Sequence, residues 1–455
     1  MIRTINPVDN KILQEYNFLS KKEIDKKLSI SKDSYQEWKY FSIRRRKEFL
    51  KRFYSCLKKN IYDIASIITQ EMGKPIIQSI FEMNKSIDLC KYYYNVKYKI
   101  FRKEINKKDE YEKCYIKYDP IGTIIGIMPW NYPIWQIIRF SIPNLLLGNV
   151  IIIKPSLNTS GCSVFLERIF IESGIPKGVF QIFLVKNNEI EYIISSNIIQ
   201  GVSFTGSQNT GSFIGSLSGK NIKKSVLELG GNDAFVVMKD VKNIKKIAKI
   251  ATESRLNNTG QTCISAKRFV VDELIVDDFI DLVIQEMKTF HRGDLFDKST
   301  KIGYISRKDL SDKLYRQYIN VIFHGGKICL KIKRDQNFFS PSLLKVNKMN
   351  NVVRKEEIFG PIGIIISYSK EKEIPHIVNN TPYGLGTSIW TMDIEKAENI
   401  SKNIDSGMVF INDMVKSDPS FPFGGVKKSG YGRELSTSFV GEFSNCKTVV
   451  IKKCL

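Results

Sequence analysis

The sequence predicts an α/β chain built on parallel sheets. Three observations carry this. A helical stretch runs from residue 20 to about 100, short apolar runs alternate with helix-like segments from Ile121, and a second series of the same kind begins at Ala234. Continuous apolar strands alternating with helices are the signature of a parallel sheet covered on both faces.

Within 20–100, apolar residues recur three and four apart, as in Phe49, Leu50, Phe53, Leu57 and in Ile61, Ile64, Ile68. Gly73-Lys74-Pro75 interrupts the pattern. A polar stretch at 102–113 follows, and Cys114 to Tyr118 then alternates like an edge strand. The first strand series is 121–128, 150–153, 179–185, 202–205 and 226–229, with helices at 133–147, 159–173 and 208–219. The second has strands at 234–238, 268–271, 342–346, 362–368, 386–391 and 407–411, with helices at 241–256, 277–290 and 393–403. The tail, 448–451, is a last apolar strand.

The 455 residues allow about two to four domains. A 42% hydrophobic and 26% charged mix is that of a globular chain. Lys and Arg number 70 against 47 Asp and Glu, a net charge of +23. The lysines are scattered, and the longest basic run, Arg44 to Lys47, sits inside an amphipathic helix. This reads as solvated helix faces; nucleic-acid binding is the competing reading. The eight cysteines form no C-x-x-C pair and the three histidines lie far apart, so no zinc spacing exists. The N-terminus lacks an apolar core for a secretory signal. The most apolar stretch, 142–153, is short and broken by Pro143, Asn144, Gly148 and Asn149, too little to span a bilayer. A cytoplasmic protein with reduced thiols is expected.

Five places could carry chemistry. Cys263, in Asn258-Thr-Gly-Gln-Thr-Cys263, is a candidate nucleophile if its surroundings favour the thiolate; taken alone, a cysteine is more often a small buried hydrophobe. Glu228, in Glu228-Leu-Gly-Gly231, ends a strand where a carboxylate faces the usual ligand crevice, and could serve as a general base or be a plain loop acid. Asn131, in Pro129-Trp-Asn-Tyr-Pro133, could donate its amide to an oxyanion, or simply suit a Pro-bounded turn. Phe204-Thr-Gly-Ser-Gln-Asn-Thr-Gly211 runs from a strand through a glycine turn into a helix, a place for a phosphate, though its spacing matches neither dinucleotide nor P-loop motifs. Glu356-Glu-Ile-Phe-Gly-Pro361 offers a carboxylate for a ribose and an aromatic for a heteroaromatic ring.

Each is weak alone; their order is not. PWNYP, Lys154-Pro-Ser156, FTGSQNTG, ELGG, NTGQTC, EEIFGP and Phe423-Gly-Gly-Val-Lys-Lys-Ser-Gly430 occur in that sequence along the whole chain. The series resembles the aldehyde dehydrogenase superfamily. The resemblance implies that Cys263 attacks an aldehyde, Asn131 and the Cys263 N–H form the oxyanion hole, and Glu228 activates the hydrolytic water. It also implies cofactor contacts. Lys154 and Glu357 would hold the two riboses, Phe359 would lie near the nicotinamide, Gly206 and Ser207 at the pyrophosphate, and the backbones of Trp130 and Leu229 along the site. Pro155, Ser156 and Leu157 continue from Lys154. NAD-preferring members often carry a glutamate where Leu157 stands, so NADP is expected to be accepted, and NAD is not excluded.

The stretches around Asn131, Cys263 and Gly430 look closest to shorter bacterial succinate-semialdehyde dehydrogenases. That likeness implies that Arg139 binds a substrate carboxylate, with Ser417 as a further ligand; a structural ion pair is the alternative for Arg139. Many members have a second arginine where Asn257 stands, and Arg255 could replace it or sit on the helix surface. The expected fold is that of the family. A Rossmann-like cofactor domain would comprise 1–101 and 121–230, a catalytic domain 231–430, and an oligomerisation element 102–120 with 431–455. Strands 114–118 and 448–451 would pair across subunits of a dimer or tetramer. The expected activity is NAD(P)-dependent oxidation of succinic semialdehyde, with no metal and no membrane. Another short aldehyde, such as an aminoaldehyde or glutarate semialdehyde, is the alternative, and a nucleic-acid-binding protein on the same fold the remote one.

Overall fold

In the computed structural model, residues 1–105, 111–348 and 350–452 are described. Part of the polar stretch expected at 102–113, namely 106–110, and Cys454 lie outside them.

The helical stretch resolves into Lys21–Trp38, Ile43–Lys59, Ile61–Met72 and Ile76–Asn95. Local chemistry sets its ends. Ser20 and Glu23 form a reciprocal capping box at the first start. Gly73, at φ +80°, closes the third helix in the left-handed conformation a side chain disfavours.

The first sheet has the order Gly430–Tyr431, Lys224–Glu228, Ile199–Thr205, Thr123–Ile127, Val150–Lys154, Phe180–Ile182. Its strands are parallel except the short Gly430–Tyr431, which runs antiparallel against Leu227 and Glu228. The second sheet has the order Lys327–Leu330, Ser342–Lys345, Ile362–Tyr368, Arg268–Asp272, Ala234–Val237, Gly386–Trp390, Met408–Ile411, parallel except at Lys327–Leu330. The central strands are buried on both faces, which explains their unbroken apolar runs. The strands that lead into Asn131, Gly206 and Leu229 are neighbours, so their C-terminal ends converge on one crevice.

One expectation is corrected here. The strands containing 114–118 and 448–451 pair with each other inside the chain, antiparallel, with Ile116 opposite Thr448 and Cys114 opposite Val450. Both are longer than expected, Tyr111–Pro120 and Ser444–Lys452, and each satisfies the other's backbone groups. Several elements had no counterpart in the sequence reading, among them the hairpin of Ile2–Ile5 with Ile12–Tyr16, the helices Glu189–Ser195, Lys308–Phe323 and Ile374–Asn379, and the edge strand Lys327–Leu330. No helix among the described residues is long and apolar enough to cross a membrane.

Candidate active site

Cys263 stands where two cavities meet: it lines one of about 330 Å³ and another of about 790 Å³, and Asn131 and Gln136 line both with it. The loop that delivers the thiol is strained. Asn258, Thr259 and Gly260 all have positive φ, at 54°, 57° and 70°, and a β-branched residue there is a true outlier. Such backbone costs Asn258 and Thr259 roughly 1–3 kcal/mol each, though not Gly260, and persists only when its surroundings hold it. Here they do. The Thr259 hydroxyl accepts from the Gly303 N–H at 2.9 Å, and Gln261 donates to the Tyr304 carbonyl while accepting from the Ser306 N–H, both at 3.0 Å.

The Asn131 amide Nδ2 donates one hydrogen to the Gln261 carbonyl at 2.9 Å, leaving its second hydrogen unused. The Asn131 carbonyl is itself gripped by Asn258 Nδ2 at 2.9 Å and Lys74 Nζ at 3.0 Å. Among the described residues the Cys263 N–H has no acceptor. Two unused donors thus belong to residues that line both cavities, Asn131 and Cys263. Burial pushes the Cys263 thiol up to about 12, against the pull of Lys267 and Arg139, so the resting sulfur is protonated.

Glu228 is buried, and neither carboxylate oxygen has a hydrogen-bond partner. Burial, with repulsion from Glu434, holds its carboxyl well above the usual carboxylate range, opposed by Arg139 and Arg433. Its backbone neighbour Leu229 lines the smaller cavity, but the Glu228 side chain lies off both cavity walls, against Gly424, where an added Cβ would come within 2.8 Å of Oε1.

The smaller cavity suits a dinucleotide. Trp130 and Phe359 face each other edge to face at 5.9 Å on its wall. Gly206 and Ser207 line it at the N-terminus of the helix Gln208–Lys220, which Ser207 caps. Glu357 lines it too, tethered by the Gly231 N–H at 3.1 Å and by Lys267 at 3.3 Å. Lys154, Pro155, Ser156 and Leu157 are not on its wall; they follow the neighbouring strand, and the Lys154 carbonyl accepts from the Met128 N–H at 3.0 Å. Lys154 makes no ion pair among the described residues, and burial pulls its ammonium down to about 8. A buried cation lacking a partner fits a polar ligand at this strand end.

In the larger cavity Arg139 and Ser417 both reach the wall. Arg139 is already engaged: its Nε lies 2.5 Å from Glu434 Oε2, and its guanidinium sits 4.7 Å from the Phe423 ring centre. The ion pair that competed with a substrate role is therefore present. Arg255 neither lies on the helix surface nor reaches this cavity. It is fully buried and donates to Ser265 Oγ and to the carbonyls of Ile362, Ile358 and Gly360. An always-charged fork in a closed loop crossing needs many acceptors, and the whole fork is spent there. The sequence reading missed Lys85 and Gln136. Both line the larger cavity, and Gln136 carries a buried amide oxygen with no partner. Ile77, Phe81, Lys85 and Asp88 share one helix face by spacing, which was the available signal.

A family model described as the aldehyde dehydrogenase family matches residues 1–449. The chain belongs to the aldehyde dehydrogenase family. It is 34% identical over 449 residues to a succinate semialdehyde dehydrogenase [NAD(P)+] of Escherichia coli, covering 98% of this chain and 97% of the relative. It is 32% identical to a succinate-semialdehyde dehydrogenase [NADP(+)] of Deinococcus radiodurans, over 98% of this chain and 94% of that one. The crystal structure of succinic semialdehyde dehydrogenase from Streptococcus pyogenes in complex with NADP+ superposes with a TM-score of 0.95 over all of both chains, at 30% identity. Within this aldehyde dehydrogenase the convergence of motifs on the crevice agrees with the fold of its relatives.

Proposed function

We propose that the protein oxidises succinic semialdehyde to succinate with NADP or NAD, as a cytoplasmic homo-oligomer. The observation that carries this is the place of Cys263, shared between an aromatic-walled cavity and one lined by the cations Lys85 and Arg139. The wall also carries carboxylates, among them Asp88, Glu253, Glu286 and Asp418, so the charge that suits a negatively charged aldehyde is local to Lys85 and Arg139.

The residues divide the chemistry as follows. The Cys263 sulfur, once deprotonated, bonds to the aldehyde carbon and gives a thiohemiacetal. The oxygen becomes an alkoxide facing Asn131 Nδ2 and the Cys263 N–H, and one such donor is worth about 3 kcal/mol. When bound, the oxidised nicotinamide supplies the hydride acceptor. Loss of hydride from the former aldehyde carbon leaves a thioester on Cys263. Glu228, swung from its pocket by Gly424 and deprotonated, takes a proton from water, whose oxygen displaces the sulfur and releases the acid. Leu157 places no acid near the ribose of a cofactor held by Lys154, which supports acceptance of a 2′-phosphate.

The test is absorbance of reduced nicotinamide with purified protein, succinic semialdehyde and either coenzyme. Reduction that vanishes in Cys263→Ala supports the reading. A folded protein that reduces neither coenzyme with this aldehyde sinks it.

A further inference from the structure

Lys85 is the one lysine of the helix Ile76–Asn95 that reaches the larger cavity. Its Nζ lies 4.1 Å from the Trp135 ring centre and donates to Ser417 Oγ at 2.5 Å. Among the described residues it makes no ion pair, unlike Lys74 on the preceding turn, which holds Glu82, and unlike Arg139, which holds Glu434. Five cations line the cavity; Lys249, Lys301 and Lys416 are exposed, and of the two that are not, Lys85 and Arg139, only Arg139 has its countercharge supplied by the protein. A desolvated ammonium without an anion is costly, so its presence in the wall calls for an anion from outside. Glu82, Asp418 and Cys263 act on it only at longer range, while Arg139 repels it.

We infer that Lys85, with the Ser417 hydroxyl, binds the distal carboxylate of the substrate, and that Arg139 is a positioning residue held in the wall by Glu434. The inference rests on the carboxylated-aldehyde reading above and refines it. Ser417, placed by its contact with Lys85, donates its own proton to the same carboxylate once Lys85 donates to it; the Trp135 face steadies the ammonium from the other side.

The experiment compares kcat/KM for succinic semialdehyde with that for butanal, a neutral aldehyde of the same chain length, in the full-length protein with coenzyme. In Lys85→Met the ratio of the two values is expected to fall about 10- to 100-fold, the loss lying mainly in KM, and Lys85→Arg is expected to restore part of it. In Arg139→Gln the ratio is expected to stay within about threefold of wild type, whatever happens to the rate. A wild-type ratio near one sinks the carboxylated-substrate reading itself. A high wild-type ratio that survives in Lys85→Met, or that collapses in Arg139→Gln instead, overturns the assignment to Lys85 alone. Should Lys85→Met not fold, inhibition of butanal oxidation by succinate decides. Inhibition weakened in Lys85→Gln and in Ser417→Ala supports the inference, and inhibition unchanged in both overturns it.

Discussion

Lys74 and Glu82 form an ion pair with no solvent-exposed side-chain surface, Nζ to Oε2 at 2.7 Å. Each does a second job. Lys74 Nζ donates to the Asn131 carbonyl at 3.0 Å, and Glu82 Oε1 accepts from the N–H groups of Ile134 and Trp135 at 2.9 and 3.0 Å. The pair therefore ties the turn that carries Asn131 to the helix Ile76–Asn95, and caps the helix Trp135–Leu147 that Pro133 opens. Lys74→Met leaves a buried carboxylate without its cation. Removing one partner of a buried pair costs about 3–5 kcal/mol, and urea unfolding is expected to show a loss of that size. The kcat is expected to fall as well, because the oxyanion donor loses its support; Lys74→Met with wild-type kcat would dissociate the two.

Cys263 is expected to alkylate slowly in the free protein. Its thiol is pushed up to about 12 by burial, far above the ~8.5 of a free cysteine. The rate with iodoacetamide, taken as wild type minus Cys263→Ala to remove the other thiols, is expected to climb about tenfold per pH unit from pH ~7 to pH ~10. A plateau near pH 8 would show an ordinary thiol.

Glu228→Gln is expected to separate the two halves of the reaction. Burial and repulsion from Glu434 hold the carboxyl well above its usual range, which favours the neutral form that the amide mimics. Stability at neutral pH is expected to shift by less than about 1 kcal/mol. Thioester hydrolysis loses its base and slows about 10²–10⁴-fold. Stopped-flow absorbance is then expected to show a burst of reduced coenzyme followed by a slow steady state. A uniform slowing without a burst places Glu228 before hydride loss.

The preference for a carboxylated substrate is expected to depend on pH. Burial and the charge of Arg139 bring Lys85 down to about 7, against the attraction of Glu82, Cys263 and Asp418. A lysine lowered in this way is charged below that value and neutral above it. The ratio of kcat/KM for succinic semialdehyde to that for butanal is therefore expected to fall as pH rises from ~6 to ~8, while the substrate carboxylate stays ionised. The ratio cancels titration of Cys263 and Glu228, which both substrates share. In Lys85→Arg the ratio is expected to be flat, since guanidinium keeps its proton.

Leu157→Glu is expected to raise the KM for NADP about tenfold or more over that for NAD, by placing a carboxylate near the 2′-phosphate. Equal changes for the two coenzymes would put Leu157 away from that phosphate.

The sequence by itself determined the alternation of strands and helices, because buried parallel strands must be apolar on both faces and their helices must show a stripe. It also carried the ordered motifs around Asn131, Glu228 and Cys263, because strand-end turns and close backbone approaches restrict the residues that fit. The helix Lys308–Phe323 escaped, its apolar positions diluted by charge, and the hairpin of Ile2–Ile5 with Ile12–Tyr16 is too short to announce itself. Only the tertiary structure decided what the charged side chains do. Arg255, Arg139 and Lys85 look alike in a string of letters. The fold gives the first a closed cage of acceptors, the second a carboxylate, and the third a hydroxyl and an open cavity. A charge takes its role from partners distant in the chain, and those distances exist only once the chain is folded.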